Sequence, residues 1–104
     1  MPKNKGYEFS PAAREDLIEI VDYIAAENPA AAARLLSDIE KACADLAARP
    51  SLGHRRKDLT PDPEVLFYCV RDYYLVIYRR NTTPLQIARV LHGARDVETE
   101  LCEE

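Results

Sequence analysis

The chain has 104 residues, 47% hydrophobic and 31% charged, with a formal net charge of −4. That length supports one core, so the chain reads as a single domain over 1–104 whose last eight residues, 97–104, form an acidic tail. The composition excludes disorder. The longest apolar runs, six residues as at Tyr73–Tyr78, fall far short of the roughly 18 that a membrane helix needs.

Tyr7-Glu8-Phe9 alternates as a short strand. Ser10-Pro11 opens a helix, because Ser caps well and Pro is pre-set for the first helical position. Ala13, Leu17, Ile20, Val21 and Ile24 form its apolar stripe, and the helix is predicted to stop near Glu27. Asn28 stands before Pro29 and is pushed out of the α region. Asn28-Pro29 caps a second helix with the stripe Leu35, Ile39, Ala42, Cys43 and Leu46, ended by Pro50. So short a joint implies an antiparallel helical hairpin.

Residues 50–64 read as a loop rich in Pro, Gly and Asp, carrying the basic cluster Arg55, Arg56 and Lys57 beside His54. Three strands follow, at 65–70, 73–80 and 85–92, joined by turns at Arg71-Asp72 and Asn81–Pro84. Short links make them an antiparallel meander. The order strand-helix-helix-strand-strand-strand defines an α+β fold: a two-helix antiparallel hairpin packed on a small, mainly antiparallel sheet.

Parity divides the second meander strand into Tyr73, Leu75, Ile77, Arg79 and Tyr74, Val76, Tyr78, Arg80. The third divides into Leu85, Ile87, Arg89, Leu91 and Gln86, Ala88, Val90, His92. No face is polar, and one helical hairpin covers one face, so the other is expected to receive a partner through Tyr and Arg side chains. Tyr74, Tyr78, Arg71, Arg79, Arg80, Arg89 and Arg95 are the candidate partner-binding residues.

The net charge hides an asymmetry. Residues 1–50 carry −3, residues 51–96 carry +3 and residues 97–104 carry −4; seven of the eight bases in the middle segment are Arg. Arg favours bidentate contacts with carboxylate or phosphate. No nucleophile elbow, zinc-protease motif or phosphate-binding Gly loop is present, and no Cys/His spacing fits a metal, so neither a cofactor nor a metal is expected. Cys43, Cys69 and Cys102 are too few and too scattered for a disulfide framework, and the N-terminus lacks the apolar stretch of a secretion signal. Both point to the cytoplasm. His92, near Arg89 and Arg95, has the chemistry of a general acid or base, but a structural histidine at a strand end is favoured.

Several segments together resemble the RelE/ParE superfamily of bacterial type II toxins, and within it the ParE branch. They are Tyr7-Glu8-Phe9-Ser10-Pro11-Ala12-Ala13, Asp16-Leu17, Ile20, Tyr23-Ile24, Leu46-Ala47, Pro50, Gly53, Arg55, Arg71, Tyr74–Tyr78 and Ile87–Asp96. The resemblance implies the same hairpin-on-sheet fold. It implies a toxin that inhibits DNA gyrase by binding it, without catalysis. A cognate antitoxin, of the ParD-like ribbon-helix-helix kind, would neutralise it. The alternatives are a RelE-like ribosome-dependent mRNA endonuclease using His92, Arg71, Arg89 and Arg95, or an inactive homologue that only binds its antitoxin. The acidic overall charge argues against direct nucleic-acid binding.

Overall fold

Ser10 sets the architecture. Its backbone is extended (φ −65°, ψ 164°), and its Oγ accepts from the Ala13 N–H at 3.0 Å, capping the first helix. The same hydroxyl donates to the Ala88 carbonyl at 2.8 Å, so one residue joins helix to sheet. The computed structural model describes residues 6–71 and 73–93. In chain order these form β1 (Tyr7–Phe9), α1 (Pro11–Ala25), α2 (Pro29–Ala48), a 3-10 turn (Pro50–Leu52), β2 (Val65–Val70), β3 (Tyr74–Arg79) and β4 (Leu85–His92). Asp72, Arg95 and the expected acidic tail lie outside the described residues.

α1 stops two residues before the expected Glu27, because the Ile24 carbonyl accepts from both Glu27 N (3.1 Å) and Asn28 N (2.8 Å) and tightens the last turn. Asn28 then caps α2 through its side-chain oxygen on Ala31 N at 3.0 Å. The sheet order is β1-β4-β3-β2, with β1 parallel to β4 and the other pairs antiparallel. Both helices lie against one face.

The core joins α2 and the sheet. Leu35, Ile39, Ala42, Cys43 and Leu46 are all buried, as the helical spacing required. α1 contributes less, with Ala13 and Ile20 buried and Leu17 and Ile24 half-buried against the cluster. Opposite them stand Leu66, Val70, Tyr74, Val76, Tyr78, Leu85, Ile87 and Val90.

Strict alternation fails in β4. Ile77 pairs with Arg89 but Tyr78 pairs with Ile87, so Ala88 is an extra residue in a β-bulge. Leu85, Ile87 and Val90 therefore all face the helices, where simple parity put Val90 on the other side.

Tyr74 and Tyr78 also lie on the helix-covered face, and Tyr78 is 0% exposed. Tyr78 is thus removed from the set of residues that can meet a partner. Its hydroxyl donates to the Pro50 carbonyl at 2.5 Å and accepts from Gly53 N at 2.9 Å, tying the 3-10 turn to the sheet. On the opposite face Phe67 and Leu75 form a second small cluster with half-buried Val65, Cys69 and Ile77. That face is apolar as expected, yet its largest side chains are not exposed. Among the described residues the exposed large apolar side chains are Ile18 and Tyr23 on α1, Leu59 in the loop and Tyr73 in the β2–β3 turn.

Candidate partner-binding surface

At one end of the sheet, the last turns of α1 stand off the strands. Val70, Tyr74 and His92 lie in register across β2, β3 and β4, and Gly93 N donates to the Tyr73 carbonyl at 2.5 Å. A cleft of about 350 Å³ opens there, lined by Ile20, Tyr23, Ile24, Tyr74 and His92. Tyr23 is 74% exposed and Tyr73, at the neighbouring turn, 60%. Tyr74 and His92 meet edge to face, with ring centroids 5.1 Å apart and planes at 88°. Among the described residues the lining contains no Lys, Arg, Asp or Glu. Its described walls are aliphatic and aromatic, apart from the His92 imidazole.

The arginines are arranged differently from the expected cationic surface. Arg89 donates from Nε to Asp16 at 2.6 Å and from Nη2 at 2.9 Å, and the same carboxylate accepts from Val90 N at 3.0 Å. Asp16 thereby closes the edge of β4 beyond the point where β1 ends. Burial pushes the Asp16 pKa up, but the Arg89 and Val90 hydrogen bonds and the Arg89 charge outweigh it and hold it below the usual carboxylate range. Arg71 reaches Asp38 on α2 at 2.5 Å, and it holds a left-handed backbone (φ 57°) that non-glycine residues seldom adopt.

Arg79 and Arg80 bind Asp62 (2.8 Å) and Glu64 (3.1 Å), so the loop before β2 supplies their carboxylates and the helices do not. Arg56 binds Asp58 at 2.6 Å. The Arg71, Arg79, Arg80 and Arg89 side chains are about two-fifths to one-half exposed, so their pairs contribute little stability; their effect is to neutralise the cations.

His92, Arg71 and Arg89 therefore do not converge. His92 faces the apolar cleft, Arg71 turns toward α2 and Arg89 toward α1. Arg95 lies outside the described residues. Sequence reasoning missed Tyr23 as a lining residue, because it sits beside the α1 stripe and reads as solvent-facing. It also missed Asp16, Asp38, Asp62 and Glu64 as arginine partners, since these pairs join positions 16 to 73 residues apart. Among the described residues no group of His, Cys, Asp or Glu is placed to hold a metal ion, and no helix is long and apolar enough to cross a membrane.

An apolar cleft beside α1 opens on a helical hairpin packed over a mixed four-stranded sheet, a small α+β fold. Residues 7–97 match the family described as the ParE toxin of the type II toxin-antitoxin system parDE. The chain belongs to that family. A solved structure described as the chromosomal ParDE toxin-antitoxin system from P. aeruginosa has the same fold, with a TM-score of 0.66 at 20% identity, over 83% of this chain and 92% of that one. Among curated proteins none matches the chain in sequence.

Proposed function

We propose that this toxin acts by binding a protein, with DNA gyrase as its target and a cognate ParD-type antitoxin as its inhibitor. On this reading it works in the cytoplasm. The observation that carries the proposal is the cleft of Ile20, Tyr23, Ile24, Tyr74 and His92, which is open and, among the described residues, lined by no Lys, Arg, Asp or Glu. An amphipathic segment of an antitoxin would bury its apolar anchors there.

The arginine geometry supports the same reading. A nuclease needs cations and an acid–base group directed at one phosphate. Here Arg71 and Arg89 are bound to carboxylates on two different helices, and His92 faces aromatic and aliphatic side chains.

The test is supercoiling by purified gyrase with and without the purified protein, followed by addition of the antitoxin expressed from the adjoining reading frame. Inhibition that the antitoxin reverses is the expected result. Unimpaired supercoiling, with messages cut on ribosomes in induced cells, would replace this reading with the nuclease one.

A further inference from the structure

Of the cations that the middle of the sequence concentrates, Arg55 and Lys57 differ from the rest. Arg56, Arg71, Arg79, Arg80 and Arg89 each hold a carboxylate. Arg55 and Lys57 are exposed and make no hydrogen bond or ion pair with any described residue. Between them and the loop's end stands Leu59, 45% exposed. Two unneutralised cations and an apolar side chain thus alternate at 55, 57 and 59.

The loop that presents them is fixed. His54 and Phe67 exchange two backbone hydrogen bonds of 2.8 Å, so the loop begins as a short extra rung on the edge of β2. The Arg56 carbonyl accepts from Leu59 N and Thr60 N at 3.0 Å, and the Arg56 guanidinium clasps Asp58. At the far end Asp62 and Glu64 bind Arg79 and Arg80. A loop held at both ends and across its middle loses little further entropy on binding.

We propose that residues 55–59 are a second docking surface, which takes an acidic protein segment bearing an apolar side chain. Arg55 and Lys57 receive its carboxylates and Leu59 its apolar group. A nucleic acid fits less well. Two phosphate contacts give a salt dependence of log K of only about −1.8, far below that of typical binders.

The surface is separate from the aromatic cleft. The cleft uses Tyr74 and His92 on β3 and β4, whereas the loop runs beside the outer edge of β2, where His54 pairs with Phe67, and its far end reaches Arg79. The inference does not depend on which target the toxin has.

The experiment uses the full chain and three fluorescein-labelled probes at low salt. These are a short Glu/Asp peptide with interspersed Leu, the same peptide with Lys in place of each acid, and a short single-stranded RNA. Anisotropy is expected to show binding of the acidic peptide alone. R55E/K57E is expected to weaken it at least about tenfold and Leu59→Ser several-fold, while Tyr23→Ala in the cleft leaves it unchanged. These side chains are exposed, so thermal melting should confirm that the variants stay folded. No binding of the acidic peptide, equal binding by R55E/K57E, or binding of the RNA in its place would overturn the proposal.

Discussion

Replacing Gly53 with Ala tests the lock that holds the start of the loop. A Cβ built at Gly53 would stand 2.6 Å from the Tyr78 hydroxyl and 3.0 Å from the Phe67 carbonyl oxygen, closer than such atoms approach. Tyr78 is fully buried and cannot swing aside, and Phe67 is held in β2. G53A must therefore displace the turn and break the Gly53 N to Tyr78 bond, at a cost of about 2–3 kcal/mol. Y78F removes the hydroxyl and leaves Gly53 N and the Pro50 carbonyl without it. Both backbone groups are half-buried, so water replaces part of the loss and the cost is about 1–2 kcal/mol. In the double variant the hydrogen bonds are lost once and the nearest clashing atom is gone. Urea unfolding of the four proteins is expected to give a double-variant loss smaller than the sum of the single losses by about 1 kcal/mol. Additivity within about 0.5 kcal/mol would refute the contact on which the argument rests.

Asp16→Asn is expected to destabilise by about 2 kcal/mol near neutral pH, since it weakens charge-assisted bonds to Arg89 and Val90 at a carboxylate only 14% exposed. The Asp16 pKa is depressed on folding, so its contribution is present above the unfolded pKa of about 4 and is lost as pH falls through the folded value. Melting temperatures of wild type and D16N should therefore converge in acid, and a constant gap down to the lowest pH would contradict this. Ile39→Ala, at a fully buried site, should cost about 2–5 kcal/mol, and Leu17→Ala, half-buried, clearly less; equal losses would show that α1 is buried more deeply than its exposure indicates. Cys43 should resist thiol reagents in the native state, because burial and the nearby Glu40 charge push its pKa up to about 12; labelling as fast as that of a free thiol would show that the core opens there.

What the sequence disclosed depended on the range of the interaction. The end of β1, the start of α1 and both ends of α2 follow from local chemistry at Ser10, Asn28 and Pro50, and they fall where that chemistry requires. The α2 stripe was equally legible, because five residues at helical spacing share one environment. The facing of Val90 was not, since the bulge at Ala88 shifts parity and its extra carbonyl is held by Ser10, 78 residues earlier. Tyr78 departs from its expected exposure for a related reason. Tyr78 has the composition of an interface residue, but its hydroxyl is consumed by Pro50 and Gly53, which only the tertiary fold brings to it. The excess of Arg between residues 51 and 96 was legible as a count, but its carboxylate partners were not. Five of those seven side chains are matched to carboxylates, four of them on segments 16 to 73 residues distant.

The central claim, binding without catalysis, rests on His92 in its aromatic cleft. Growth inhibition after induced expression of His92→Gln, measured beside wild type, tests it directly, with antitoxin binding of the variant as the control for folding. The account predicts that inhibition persists, since Gln keeps the size and a hydrogen-bonding group at the cleft wall. A general acid or base contributes roughly 100-fold or more to rate. Loss of toxicity on that scale, in a variant that still binds the antitoxin, would contradict the account.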